Sequence, residues 1–428
     1  MKKNINIAVI GLGYVGLPLA IEFGKYFSTV GYDIDKKKIL NLLKFIDTNK
    51  ELSKIEIKKS KKLIFTSKIK DIKLCNYYII CVPTPINKNK KPDLKLIESA
   101  AKIVSKVIKN GDVVVIESTV FPGVTEKICK NIIEKKAKLK IITEKNKKGF
   151  HIGYSPERLN PGDKNRKLHN ITKVISGNTP ESLKIIKNIY SIVQKNNIYE
   201  ASSIEVAEAA KVIENVQRDV NIALINELTK IFNKSKIDIF EVLKTASTKW
   251  NFHQYFPGLV GGHCIGVDPY YLSYYSKIQN INPLIITSGR KINDQMYKYL
   301  VKKIIDNLKI NNLYKKNTKL LIMGYSFKKN CSDIRNTQIE RVFNSLYRYF
   351  KNINIYDPLI DKSLLKPKIK NKFITYPKVN FYDSIIIAVN HDIFRKIGEQ
   401  KIIKLIKNDK KIVFDINNYF KNSNFIHF

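Results

Sequence analysis

INIAVIGLGYVG, residues 5–16, decides the fold. A short apolar run ends at glycine, and glycine recurs at 11, 13 and 16. Such a run, bounded by glycine, suits a parallel strand buried on both faces. The spacing G-x-G-x-x-G permits a tight turn and lets backbone N–H groups reach a pyrophosphate at the start of a helix, here about Val15 to Tyr26. STVGYDID (28–35) reads as a second strand ending at acidic residues. Asp33 stands there, 22 residues after Gly11, where a carboxylate accepts both ribose hydroxyls and favours NAD over NADP. Lys38 follows one helical turn later. The basic start and apolar run of residues 1–20 imitate a secretion signal, but three spaced glycines followed by Glu22 and Lys25 argue for strand and helix instead.

Working outward, YYIICVP (77–83), DVVVIEST (112–119) and HIGYSPE (151–157) read as further strands separated by helical stretches. Alternation of this kind predicts a doubly wound parallel sheet. From Ser203 to Ser235 the chain shows helical periodicity without glycine or proline, the pattern of one long spine helix. Spines of this length often carry a dimer interface. A second α/β segment starts near Lys319, with KLLIMGYSF, NINIYDP, SIIIAVNH and KIVFDINN as its strands. The expected architecture is therefore α/β: two Rossmann-like doubly wound domains joined by a central all-helical domain. The expected boundaries are 1–198, 199–300 and 301–428.

Composition narrows the function. The 428 residues are 44% hydrophobic, as in a globular protein, and no other apolar span reaches the 18 residues a membrane helix needs. The net charge of +40 invites a nucleic-acid reading, but only eight of the 77 cationic side chains are arginine, and the lysines are scattered. Readers of nucleic acid cluster their basic residues and favour arginine. The expectation is a lysine-rich solvated surface and no nucleic-acid partner. Arg158, Arg218, Arg290 and Arg335 stand out against that background. The five cysteines are widely spaced with no C-x-x-C pair, which argues against a disulfide framework or a metal site and suits a reducing cytoplasm.

Several stretches carry chemistry. Thr84 in CVPTP (81–85) and Ser118 and Thr119 in ESTV (117–120) sit at strand ends, where open α/β sheets bind ligands. Glu157 in SPERLNPGD (155–163) is either a general base in a partly desolvated site or a surface glutamate paired with Arg158. Lys211 and Asn215 share one helix face, as an oxyanion site or as a solvated face. Cys264 lies in PGLVGGHCIGVDPYYL (257–272) among Gly258, Gly261, Gly262 and Gly266, which would let the backbone approach a ligand. A lone cysteine is commonly a small buried residue. Asp268, four residues on, and the crowding of glycine favour a reactive one.

G-x-G-Y-V-G, V-P-T-P, E-S-T, S-P-E-R, K-x-x-x-N, G-G-x-C with Asp four later, and F-K-x-x-x-x-D-x-R occur here in one order. In this the chain resembles the UDP-glucose/GDP-mannose dehydrogenase family over nearly its whole length, and most of all its UDP-N-acetylhexosamine 6-dehydrogenases. The resemblance implies a cytoplasmic, homodimeric enzyme that oxidises the C6 alcohol of a UDP-sugar twice with NAD, for surface polysaccharide synthesis. UDP-N-acetylglucosamine is the first expectation and UDP-N-acetylgalactosamine the second; UDP-glucose, UDP-N-acetylmannosamine and GDP-mannose are rivals, as is a non-catalytic binding protein. It implies Cys264 as nucleophile, Glu157 as the base for hydrolysis, Lys211 and Asn215 as oxyanion donors, and Asp268 and Thr119 as holders of a proton-handling water. It implies NAD contacts at Gly11, Gly13, Tyr14, Val15, Gly16, Asp33, Lys38, Thr84, Ser118, Thr119 and Arg335. Substrate contacts would come from Glu157, Arg158, Lys211, Asn215, Gly258, Gly261 and Lys328. A free thiol has a pKa of ~8.5, so a cation is wanted near Cys264, with Lys211 and His263 as candidates. The chain departs from the family at Phe256, where many relatives have Arg or Lys before Pro-Gly.

Overall fold

The computed structural model describes residues 4–49, 51–158, 170–195, 197–420, 422 and 424–428. The chain divides into two compact units, residues 1–214 with 270–281 and residues 215–269 with 282–428.

In the first unit the apolar runs become strands: β1 (Asn6–Ile10), β2 (Ser28–Tyr32), β3 (Leu63–Thr66), β4 (Tyr77–Ile80), β5 (Val113–Ile116), β6 (His151–Tyr154), β7 (Lys173–Gly177) and β8 (Ile198–Glu200). They form one sheet in the order β3-β2-β1-β4-β5-β6-β7-β8. The chain winds outward from β1 to β3, then crosses back to β4, so the order reverses between β1 and β4. Ligands bind outside such a switch point. Every pairing is parallel except β6 with β7, where Gly153 faces Gly177 and Tyr154 faces Ser176. β3, β7 and β8 have no counterpart in the sequence reading. Ile7, Val9, Ile79 and Val115 are fully buried, and each contributes about 1.5–3 kcal/mol by leaving water.

Periodicity from 203 onward places the spine helix correctly, at Ile204–Lys234. The boundary of the two units falls inside it, between Glu214 and Asn215. Helices Ile239–Ala246, Asp268–Ile278 and Leu284–Ile310 complete the helical middle. The 27-residue helix Leu284–Ile310 comes close to the spine at Gly289, where a Cβ would lie 3.5 Å from that of Ala223. Arg290, singled out by its rarity, is buried there and donates to Asp219 on the spine. Asn293 donates to Asp219 and accepts from Asn226, so buried polar groups of the two helices bond to one another.

The second unit also holds a parallel sheet, β9 (Lys319–Met323), β10 (Asn352–Tyr356), β11 (Ser384–Ile387) and β12 (Val413–Asp415), in the order β10-β9-β11-β12. Its switch point lies between β9 and β11. Both faces are covered, with Leu320, Ile322 and Ile386 on one side and Leu321, Met323 and Ile387 on the other.

Candidate active site

At the end of β1 the glycine turn has the geometry of a dinucleotide cradle. Gly11 has φ +94°, and a Cβ there would lie 2.8 Å from the Cys81 carbonyl oxygen across the switch point. A Cβ at Gly16 would lie 1.9 Å from the Gly11 oxygen, so glycine lets the helix Gly16–Tyr26 start against the turn. A Cβ at Gly13 would meet nothing within 4 Å, so the backbone there borders open space. Tyr14 and Val15 follow, Val15 as the N-cap of that helix with no side chain closing it. Asp33 follows β2 and is buried. Its Oδ2 accepts the Leu12 N–H at 2.9 Å and the Lys38 ammonium at 2.8 Å, and Oδ1 accepts the Asp35 N–H at 3.0 Å. A carboxylate has about four acceptor sites, so capacity for a ligand hydroxyl remains. These residues fit NAD.

Thr84 and Ser118 stand at the same edge. Thr84 Oγ1 donates to the Thr119 carbonyl at 2.7 Å, and Ser118 Oγ donates to the Val82 carbonyl at 2.7 Å. Each hydroxyl has thus committed its proton to the neighbouring strand-end loop, and what it offers a ligand is lone pairs. Tyr271 reinforces the edge by donating to the Thr84 carbonyl at 2.8 Å.

Glu157 lies just past β6 and is buried, so it is not a surface glutamate. Its Oε1 accepts the Arg158 backbone N–H at 2.7 Å, while the Arg158 guanidinium turns away to Glu214 at 2.7 Å and the Thr172 carbonyl at 3.1 Å. The cation beside Glu157 is Lys173, 3.9 Å away. The rest of the S-P-E-R-L-N-P-G-D stretch, from 159 on, lies outside the described residues.

Lys211 is buried on the spine, not on a solvated face. One turn earlier, Glu208 accepts the Gly123 N–H at 2.5 Å and the Thr125 N–H at 2.9 Å. It fastens the helix that carries Lys211 to the loop that follows Thr119. Burial pushes the Glu208 carboxyl up to about 7, against the pull of those backbone donors.

In the second unit, Cys264 is exposed, whereas the other four cysteines are buried. Its carbonyl accepts the N–H groups of Val267 and Asp268 at 3.0 and 2.8 Å, which leads the loop into the helix Asp268–Ile278. Asp268 is buried and accepts from the Asn215 amide at 2.6 Å. The sequence treats these two separately; the fold joins them. His263 Nε2 lies 3.0 Å from Asp333 Oδ2, and the same carboxylate receives Arg335 at 2.8 Å. Burial opposes the charge of Asp333, but the hydrogen bonds from His263 and Arg335 hold its carboxyl well below the usual range.

The loop glycines divide. A Cβ at Gly261 would lie 2.8 Å from the Asn336 oxygen, and one at Gly262, at φ +83°, 2.6 Å from the Phe327 ring. Those two glycines are required by packing against residues 327–336 and do not open space for a ligand, as the sequence reading supposed. Gly258 borders a cavity of about 210 Å³ with Lys328, Lys329, Gln338 and Asn417. Asn226 pins it, donating to the Gly258 carbonyl at 3.0 Å and accepting its N–H at 2.9 Å. Phe256, two residues earlier, is exposed.

Lys173, Glu208 and Asn226 escape sequence reading because their partners are remote in the chain and no local pattern marks them. The one available signal is polarity inside an apolar stretch, as at Lys173 before VISG.

Three family models match in succession: the NAD binding domain of the UDP-glucose/GDP-mannose dehydrogenase family over residues 5–194, its central domain over 205–295, and its UDP binding domain over 321–422. The UDP-N-acetyl-D-glucosamine 6-dehydrogenase of Salmonella typhi is 45% identical over 413 residues, covering 96% of each chain. That of Pseudomonas aeruginosa is 43% identical over 414 residues, covering 97% of each. The solved UDP-D-ManNAc dehydrogenase of Pyrococcus horikoshii superposes with a TM-score of 0.87 at 28% identity, covering 99% of each chain.

Proposed function

The chain belongs to the UDP-glucose/GDP-mannose dehydrogenase family, an NAD-dependent oxidoreductase of UDP-sugars, and from there we propose that it oxidises UDP-N-acetylglucosamine at C6 to the uronic acid. UDP-N-acetylgalactosamine is the second substrate. The product serves surface polysaccharide synthesis in the cytoplasm, and the enzyme works as a homodimer. Residues 1–198 hold NAD, 199–300 carry catalytic groups and the dimer contact, and 301–428 hold the nucleotide.

The exposed Cys264 thiol, heading a turn into the Asp268–Asn215 pair, is the observation that carries this reading. A plain alcohol dehydrogenase has no use for it. NAD, when bound, supplies the hydride acceptor for each oxidation. After the first, the C6 aldehyde has no second hydride to give until a nucleophile adds. The Cys264 thiolate adds to the carbonyl carbon, forming a thiohemiacetal. Loss of hydride from that carbon and a proton from its oxygen leaves a thioester. Water then cleaves the C–S bond, giving carboxylate and free thiol. One alcohol, one water and two NAD yield one carboxylate, two NADH and three protons.

Lys211 and Asn215 stabilise the oxyanions with charge and N–H donors. Glu157 takes the proton of the attacking water. Asp268 and Thr119 order the water that handles the alcohol proton. Gly11, Gly13, Tyr14, Val15, Gly16, Asp33, Lys38, Ser118, Thr84 and Arg335 hold the cofactor. Lys328, Gly258 and Arg158 hold the sugar nucleotide.

The test is a panel of UDP-N-acetylglucosamine, UDP-N-acetylgalactosamine, UDP-N-acetylmannosamine, UDP-glucose and GDP-mannose, with NADH counted per sugar. Two NADH per UDP-N-acetylglucosamine are expected, and fastest turnover there. One per sugar overturns the thioester route. Cys264→Ser should abolish acid formation, and full oxidation by that variant would remove the nucleophile assignment.

A further inference from the structure

A buried polar cluster in the first unit takes no part in the steps above. Lys173, on β7, is 4% exposed. Its ammonium donates to Glu117 Oε2 at 2.7 Å and to the Pro156 carbonyl at 3.3 Å, and lies 3.9 Å from Glu157 Oε2. The Tyr190 hydroxyl donates to the other Glu117 oxygen. The Tyr190 ring lies 5.3 Å from the ammonium.

We propose that Lys173, anchored by Glu117 and Tyr190, is the positioning residue for Glu157. This rests on the reading of Glu157 as the base of thioester hydrolysis.

Taking an ammonium and a carboxylate out of water costs several kcal/mol per ion, so a pair whose work was only to join β5 to β7 would be poorly chosen. Hydrophobic side chains would do that as well. Lys173 reaches past Glu117 to the segment that leaves β6. Ser155 Oγ donates to the Val174 carbonyl at 2.8 Å, and Lys173 holds the Pro156 carbonyl next to it. Successive residues on the way to Glu157 are thus tied to β7, and the third, Glu157 itself, faces the cation.

The two carboxylates are held differently. Glu117 accepts hydrogen bonds on both oxygens and is fixed. Glu157 Oε1 accepts the Arg158 N–H at 2.7 Å, and its Oε2 lies beyond hydrogen-bond distance of the ammonium but inside ion-pairing range. It feels the charge without surrendering its lone pairs to it, which suits a group that must stay ionised and still accept a proton. The groups facing Lys173 are Glu117 after β5, Glu157 after β6, Cys81 after β4 and Tyr190 on the helix Pro180–Gln194; Tyr77 on β4 faces Glu117 and Tyr190. Burial works against the ammonium, but the two carboxylates more than offset it and raise its pKa, so it remains charged.

The experiment uses the full-length enzyme, UDP-N-acetylglucosamine and NAD in stopped flow, with intact-mass detection of the Cys264 adduct. The variants are Lys173→Met/Glu117→Gln, which removes both members of the buried Lys173–Glu117 pair together so that Glu117 is not left charged without its cation, Lys173→Arg and Glu157→Gln. The double variant should show a full burst of NADH, then a steady rate lowered about a hundredfold, with KM unchanged and thioester accumulated. Lys173→Arg keeps the charge and should recover most of the rate.

A double variant with wild-type turnover, or one that merely loses folded fraction without accumulating thioester, overturns the inference. So does a Lys173→Arg variant as slow as the double one. Glu157→Gln separates the two claims. If it fails to accumulate thioester, the base assignment falls; if it accumulates and the double variant does not, only the positioning role falls.

Discussion

The two sheets end their central strands in the same way and use the result differently. In the first, Gly11 donates to the carbonyl of Tyr32 at 2.9 Å, and Asp33, the next residue, accepts the N–H of Leu12. In the second, Gly324 donates to the carbonyl of Tyr356 at 2.9 Å, and Asp357 accepts the N–H groups of Tyr325 at 2.7 Å and Ser326 at 3.2 Å. Both glycines have positive φ, +94° and +87°. The difference lies on the far side of each aspartate. Asp33 meets Lys38, a partly exposed cation at its rim. Asp357 meets His391, which is completely buried. His391 Nδ1 accepts the Asn330 N–H at 2.8 Å, which leaves Nε2 as the N–H facing Asp357 at 3.1 Å. One scaffold therefore keeps a carboxylate near a ligand edge, and the other closes it off to hold the loop that carries Lys328.

The largest effect should come from Asp357→Ala. It leaves several buried N–H donors, among them that of an imidazole, without an acceptor, and each costs about 1–3 kcal/mol. Urea unfolding should show that loss, with KM for NAD unchanged in whatever folds. Asp33→Ala should cost about 1–2 kcal/mol for its lost backbone acceptor and raise KM for NAD at least tenfold. Equal stability losses, with NAD unaffected by either, would break the comparison.

Glycines sharpen it. Gly324→Ala forces a Cβ to 2.6 Å from that of Val389 at positive φ, an overpacking cost of about 1–3 kcal/mol. Its thermal midpoint should fall while KM for NAD holds. Gly13→Ala has nothing within 4 Å to strike, so the midpoint should hold. The new methyl would instead occupy the space a pyrophosphate needs, and KM for NAD should rise about tenfold, ~1.4 kcal/mol. A Gly13→Ala enzyme with wild-type KM would show that the cradle lies elsewhere.

What could be read in advance follows the same divide. G-x-G-x-x-G, Asp33 and the strand ends at Thr84 and Ser118 are legible because turn chemistry and apolar period are local properties. The spine helix is legible over its whole length for the same reason. Lys173 is not, because its meaning is supplied by Glu117, 56 residues away, across a strand pair no periodicity announces. Glu208 owes its role to backbone groups more than 80 residues distant. Gly261 and Gly262 mislead, since a glycine that admits a ligand and a glycine pressed against Phe327 are identical in sequence. Asp357 is visible as the Asp of an Asp-Pro strand end, but only the fold supplies His391.

Lys38 offers the smallest and most discriminating change. Its pair with Asp33 is a quarter exposed on the lysine side, and pairs of that kind are worth about 0–1 kcal/mol because water and salt screen them. Lys38→Met should therefore leave unfolding within ~1 kcal/mol of wild type. Its effect on NAD has two opposing parts: a positive charge beside the ribose is lost, and the Asp33 carboxylate is released to accept hydroxyls. A shift of KM for NAD below about fivefold, in either direction, with the salt dependence of binding reduced, is the expected outcome. A larger rise would mean that the lysine itself touches the cofactor, and the first strand end would then hold its ligand by a cation as well as by a carboxylate.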